Sequence, residues 1–334
     1  MYNLADRNYH FEDCRQSVIL WYQNAHKYRR MRILVLGAGA VGLTVAAQLS
    51  RHAEVFAVCR ERCVSAISEH NFTMTGIWGE RTLPLSVGTK PPEGPWDYII
   101  ISTKSAATRG ICEEYCDIFG DAEVVSLQNG IGNEEVIAEY TKNVIGAMII
   151  TGFEWVSDSE IHVSVDGGET VFGRFPGGVD EKVTALADLF NQCGMRSIAS
   201  ENVRGAVWSK AFYSCSLNPL GAVMECPYGE LLQTPAWNII EGIVREAFAV
   251  STAEGVELPQ KTADEYLEYL KVQKIPPTAA HYSSMYQDIM AKRLTEVDFI
   301  NGAIVNLGKK HGIPTPVNET IVNLTHFKEG LKCR

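Results

Sequence analysis

At 334 residues, with 46% hydrophobic and 21% charged residues, the chain has the length of two domains and the make-up of a globular protein. Its formal net charge of -10 and the lack of any long lysine or arginine run exclude a nucleic-acid binder that grips phosphates, and no apolar stretch approaches the roughly 18 to 20 residues that span a bilayer. Nine cysteines at spacings foreign to zinc ribbons and C-x-x-C motifs point to reduced thiols in a cytoplasmic protein, and the eight histidines form no ligand-spaced cluster, so no metal is expected.

Residues 1 to 30 are expected to be an extension outside the fold, because their only apolar run, "VILWY", is too short for a signal-peptide core and Met31 immediately precedes the first strand pattern. Ile33 to Leu36 reads as a strand buried on both faces, running into the G-x-G-x-x-G formed by Gly37, Ala38, Gly39, Ala40, Val41 and Gly42. A helix pattern (Val41, Val45, Leu49) and a second strand, Glu54 to Val58, follow. That context makes the glycine run a dinucleotide-binding turn: the first glycine permits the bend, the second admits a pyrophosphate, and the third lets the helix close on the sheet. Arg60 stands where the second strand ends, the place at which an arginine accommodates a 2'-phosphate and an acid holds a 2'-hydroxyl. NADP is favoured, while Glu61 beside it keeps NAD open.

A helix to about Glu69, hairpin character from Phe72 to Val87, and a strand at Tyr98 to Thr103 come next. Residues 105 to 118 predict a helix and Glu123 to Leu127 another strand. Strands alternating with helices imply a parallel, doubly wound sheet, which should end near Ser200 after further strands and a helix at Asp180 to Cys193. Beyond Asn202 the pattern turns helical, with segments at 203 to 218, 236 to 254 and 285 to 310 and a loop at 274 to 284. The reading is thus a Rossmann-type domain at 31–200 followed by an all-α domain at 201–330.

Ligands of such a sheet sit beyond the carboxyl ends of the strands, which singles out Lys104 after one strand and Gln128-Asn129-Gly130 after another. Either could equally be a surface lysine and an ordinary Asn-Gly turn. In "VWSKAFYSCSLNPL", Lys210, Ser214 and Asn218 fall four apart and share one side of a helix that should kink or end before Pro219. The plain alternative is a snorkelling lysine and a cap. In "SSMYQDIMAKRLTEVDFING", Ser284 has the S-x-x-Q spacing of a capping box with Gln287, and Glu296 follows Lys292 and Arg293 at the spacing of an exposed salt-bridge ladder.

Taken in order, "GAGAVG", "STK", "LQNG", "VWSKAFYSCSLNPL" and "SSMYQDIMAKRLTEVDFINGAIVNLGKKHGIPTP" resemble the ketopantoate reductases (2-dehydropantoate 2-reductases), from Met31 to about Lys328. That resemblance implies a Rossmann-type domain followed by an all-helical one and NADPH-dependent reduction of ketopantoate to pantoate in pantothenate biosynthesis. It makes Lys210 the general acid, Glu296 the ligand of the substrate hydroxyl, Ser284 a carboxylate ligand and Asn218 a further substrate contact. Lys104 and Asn129 match cofactor-side positions, near the nicotinamide and its ribose, and Arg60 the 2'-phosphate arginine. Glu296 and Asn129 count on both the cofactor and the reacting side. Two positions depart from the family pattern: Ser214 and His281 stand where asparagines are expected, so another branched 2-oxo acid is the alternative substrate. The oligomeric state is left open, a homodimer included.

Overall fold

The computed structural model describes residues 30–332. The expectation for the extension at 1–30 therefore lies outside the described residues, Arg30 excepted. The chain opens with β1 (Arg32–Leu36), α1 (Ala40–Leu49), β2 (Glu54–Val58) and α2 (Glu61–His70). There follow β3 (Phe72–Gly76), β4 (Arg81–Leu83), β5 (Ser86–Gly88), β6 (Tyr98–Ile101), α3 (Thr108–Tyr115), β7 (Glu123–Ser126) and α4 (Asn133–Ala138). The sheet region closes with β8 (Val144–Met148), β9 (Thr151–Ser157), β10 (Glu160–Asp166), β11 (Thr170–Arg174), α5 (Glu181–Gln192) and β12 (Ser197–Ala199).

Eight strands form the main sheet in the order β12-β11-β8-β7-β6-β1-β2-β5, with β1 paired in parallel to β2 on one side and β6 on the other. Ile33 and Val35 of β1 enter one apolar cluster and Leu34 and Leu36 another. Helices thus cover both faces of this strand, which is why its sequence is a continuous apolar run rather than an alternation. The pairing of β8 with β11 is antiparallel, so the sheet is mixed at that side.

The hairpin expected at Phe72 to Val87 is realised only in part. β3 and β4 pair antiparallel, and with β9 and β10 they build a separate four-stranded sheet. Pro84, which has no N–H to continue a ladder, follows β4, and β5 then pairs in parallel with β2 at the edge of the main sheet. The helix expected at 105–118 is likewise broken into 3-10 turns at Ser105–Ala107 and Cys116–Ile118 on either side of α3.

No strand follows Ala199 among the described residues. The helices are α6 (Val203–Met224), α7 (Thr234–Ala253), α8 (Ala263–Tyr269), α9 (Ser284–Met290), α10 (Asn301–His311) and α11 (Pro316–Lys332). Their core centres on Trp208, Phe212 and Tyr266 and takes in Ile131 from the loop after β7. Gly130, at φ +92°, makes the turn that sends Ile131 there, and the Ile131 N–H donates to the Phe299 carbonyl at 2.9 Å.

Two helix expectations are corrected. Of the kink or end expected before Pro219, the end does not occur: α6 runs through Pro219 to Met224. Proline leaves the carbonyl four residues back without its usual donor, and Asn301 Nδ2 supplies one, donating to the Cys215 carbonyl at 3.1 Å. The single helix expected at 285–310 is instead α9 and α10 with a 3-10 turn, Val297–Phe299, between them. Lys292 adopts φ +55° and the Arg293 N–H returns to the Asp288 carbonyl at 2.8 Å, a left-handed C-terminal turn that ends α9. The stretch at 274–284 is not wholly loop: a wide turn, Leu270–Lys274, ends on its first residue, and a 3-10 turn follows at Pro276–Thr278.

Candidate active site

The sheet order reverses direction around β1, so a crevice opens beyond the carboxyl ends of β1 and β6. Three glycines shape its floor in three ways. Gly37 takes φ +68°, and a Cβ there would lie 1.8 Å from Thr103 Cγ2; a Cβ on Gly42 would lie 2.2 Å from Ser102 Oγ. Nothing stands within 4 Å of a Cβ on Gly39. The first and third glycines therefore admit the neighbouring β6 loop, while the second faces open space. Gly39 is also the N-cap of α1, with no side-chain cap and no acid in the first turn, so the helix end keeps its positive character and its free N–H groups. This arrangement fits a dinucleotide pyrophosphate. Arg60 is exposed at the N-cap of α2, where it makes no side-chain hydrogen bond to that helix, and Glu61 is exposed beside it.

The second half of the site is assembled from five segments. Lys210, on α6, donates from Nζ to Asn129 Oδ1 and to the Ile149 carbonyl just past β8. The Asn129 carbonyl accepts from Ser105 Oγ at 2.5 Å and from Asn133 Nδ2 at 2.9 Å. Ser105 in turn donates its backbone N–H to Glu296 Oε1 at 3.2 Å. A hydrogen-bonded path thus runs Lys210–Asn129–Ser105–Glu296 across the cleft between sheet and helices. Ser214, one turn after Lys210, lines the same cleft with Gln128, Asn129 and Met148.

Burial acts on both ionisable ends of this path. Desolvation pushes the Lys210 amine down to about 8 from 10.5, opposed by attraction to Glu296. Desolvation raises Glu296 above the usual carboxylate value, against the pull of the Ser105 N–H, Lys104 and Lys210. The two attract without forming an ion pair. Glu296 is not part of a helical ladder: it caps the 3-10 turn, and Arg293 Nε pairs with Asp288 Oδ1 at 2.8 Å instead.

Lys104 Nζ bridges to the helical half, donating to Asp288 Oδ2 at 2.7 Å and to the Leu294 carbonyl at 3.1 Å. Asn218 is buried two turns beyond Lys210; its Oδ1 accepts from the Tyr228 hydroxyl at 2.7 Å and its carbonyl from Ser283 Oγ at 3.0 Å. The cap of α9 is Ser283, which accepts from the Tyr286 N–H, so Ser284 is not the capping residue and stands exposed as the first residue of the helix. His281 packs 5.4 Å from the Tyr228 ring, and burial lowers its pKa.

Family models fit the chain in two consecutive blocks: ketopantoate reductase PanE/ApbA over residues 33–177, and its C-terminal part over residues 202–329. The chain belongs to the ketopantoate reductase family. It is 36% identical over 309 residues to the 2-dehydropantoate 2-reductase of Aquifex aeolicus, covering 90% of this chain and 97% of that one. It is 31% identical over 304 residues to the enzyme of the same name from Pyrococcus abyssi, covering 90% and 99%. Among solved structures it resembles a PanE/ApbA family ketopantoate reductase from Ralstonia eutropha, with TM-score 0.82, 27% identity and coverage of 91% and 100%. It also resembles a D-mandelate dehydrogenase determined with NADH and anilino(oxo)acetate, with TM-score 0.80, 28% identity and coverage of 90% and 99%. Ketopantoate reductases are oxidoreductases built on a dinucleotide-binding fold, in keeping with the glycine turn described above. No described helix is long and apolar enough to cross a membrane.

Several members of the site escape a reading of motifs. Ser102 and Thr103 fill the space that Gly42 and Gly37 leave; their place directly before Lys104 was the available signal. Ser105 joins Asn129 to Glu296, Asp288 holds Lys104, and the Ile149 carbonyl holds Lys210. A main-chain acceptor leaves no trace in the identity of its residue.

Proposed function

We propose that the chain catalyses NADPH-dependent reduction of 2-dehydropantoate to pantoate, in pantothenate biosynthesis, with Lys210 as proton donor and Glu296 as ligand of the substrate hydroxyl. The observation that carries this reading is the path from Lys210 through Asn129 and Ser105 to Glu296, whose two ends are both desolvated and stand apart without pairing. Bound NADPH supplies the hydride for the keto carbon. Negative charge then grows on the keto oxygen, and Lys210 answers it with a positive field and a proton from Nζ. A lysine pushed down to about 8 remains mostly protonated near neutrality yet releases its proton more readily than an ordinary one. Glu296, held by the Ser105 N–H, offers an acceptor to a hydroxyl. Lys104, Ser214, Asn218 and Ser284 complete the set around an anionic 2-oxo acid, while Gly37 to Gly42 and Arg60 face the cofactor. The seven cysteines of the described residues are unpaired, which supports a reducing, cytoplasmic setting.

The test is the initial rate of NADPH oxidation across a panel of 2-oxo acids. Ketopantoate should exceed 2-oxoisovalerate by at least about 10²-fold in kcat/KM, because a site built around a hydroxyl rejects the analogue that lacks it. Glu296→Ala should erase most of that difference. Preference for an acid without a hydroxyl would support the second reading, a reductase of another branched 2-oxo acid. Ser214, His281 and the likeness to a D-mandelate dehydrogenase favour that alternative.

A further inference from the structure

An asparagine amide has an acceptor end and a donor end, and which of them meets a ligand depends on what holds the other. In Asn218 the acceptor is taken. The Tyr228 hydroxyl donates to Oδ1 at 2.7 Å, and Nδ2 has no hydrogen-bond partner among the described residues. Asn218 shares its side of α6 with Lys210 and Ser214, two turns along, so its free end belongs to the corner of the cleft farther from the proton donor.

Tyr228 is itself firmly held. Its side chain is buried, with the ring edge-on to Tyr213 at 5.8 Å and tilted against His281 at 5.4 Å. Its backbone N–H donates to the His281 carbonyl at 3.1 Å, and that of Gly229 to the Ala279 carbonyl at 2.8 Å. The same run leads to Ser283, whose hydroxyl donates to the Asn218 carbonyl and so fixes the main chain as Tyr228 fixes the side chain. A phenol that cannot turn to water gains from donating to Oδ1 and leaves an unpaired buried group if the amide rotates.

Resting on the proposed reduction of a 2-oxo acid, we infer that Tyr228 is a positioning residue: it locks the Asn218 amide with its donor end toward the substrate, so that this corner selects an acceptor oxygen. Together with Glu296, which accepts, the pocket has a polarity, asking for an oxygen acceptor at one end and a hydroxyl donor at the other. His281 and Tyr213 act through Tyr228 by confining its ring.

The experiment compares wild type with Tyr228→Phe, which keeps the ring and removes only the hydroxyl. KM for the best 2-oxo acid of the panel and its Kd by calorimetric titration, with NADP present, should each rise about 5- to 20-fold, the range of one lost hydrogen bond. KM for NADPH should stay nearly constant, and Tm should fall by only a few degrees, the cost of leaving the buried Asn218 Oδ1 without its donor. Asn218→Asp, which replaces the donor end by an acceptor but can still receive the Tyr228 proton, should weaken the acid more than Tyr228→Phe does. A fall in Tm with KM and Kd unchanged would leave Tyr228 a packing residue and overturn the inference, as would an Asn218→Asp enzyme that binds the acid normally. If the best acid is not ketopantoate, that reading of the substrate fails while the comparison still decides the role of Tyr228, since every 2-oxo acid offers acceptor oxygens. A wild-type chain that binds no 2-oxo acid overturns both.

Discussion

Removing the Lys210 amine should abolish most turnover while leaving the fold in place, and the structure sets the size of both effects. The fall from 10.5 to about 8 corresponds to about 3 kcal/mol against the charged form in the folded protein. The folded value lies below the unfolded one, so the charged amine costs stability at neutral pH, and that cost fades as pH rises from about 8 toward 10.5. Lys210→Met relieves it. The same change leaves Asn129 Oδ1 and the Ile149 carbonyl without their donor, at about 1–3 kcal/mol each. The two contributions are similar in size and opposite in sign, so Tm should move by only a few degrees. Turnover should drop by about 10² to 10⁴, the range for a lost general acid. In wild type, kcat/KM for the 2-oxo acid, followed by loss of nicotinamide absorbance, should fall about tenfold per pH unit above about 8. In Lys210→Arg, whose guanidinium stays charged, that limb should disappear along with most of the activity. A Lys210→Met enzyme that keeps more than about a tenth of wild-type turnover would refute the role of Lys210 as proton donor. Survival of the limb near pH 8 in Lys210→Arg would refute it equally.

Arg60→Ala should raise KM for NADPH by about 10- to 100-fold, the range of one or two charge-assisted hydrogen bonds, and leave KM for NADH nearly unchanged; equal use of both cofactors by wild type would reassign this position. Gly39→Ala and Gly42→Ala should separate cofactor binding from folding. The first adds a methyl to open space, so stability should change by about 1 kcal/mol or less while Kd for NADPH rises; the second meets Ser102 and should cost about 1–3 kcal/mol in thermal unfolding. Asp288→Asn releases Lys104 from a partly exposed ion pair of about 0.2–1 kcal/mol, so KM for the 2-oxo acid should fall about 1.5- to 5-fold; a rise would show that Asp288 holds Lys104 in its working position.

What the sequence determined by itself is local. The run Ile33 to Leu36 and the glycines after it specify a buried strand, a bend and a helix end open to an anion, because strand burial and turn geometry depend on neighbours a few residues apart. The four-residue spacing of Lys210, Ser214 and Asn218 puts them on one side of a helix for the same reason. Where a local rule met a tertiary contact, the contact prevailed. Pro219 should have kinked or ended α6, but Asn301, 86 residues from Cys215, pairs the Cys215 carbonyl that proline leaves free, and the helix continues. Ser284 had the spacing of a cap, but Ser283 took that place, its buried hydroxyl also donating to the Asn218 carbonyl. The site itself belongs to the tertiary structure. Lys210 and Asn129 are 81 residues apart and Ser105 and Glu296 are 191 apart, and no periodicity couples positions at such range. Their meeting, and the desolvation that shifts Lys210 and Glu296, arise only when the helices close over the ends of the strands and exclude water from the groups between them.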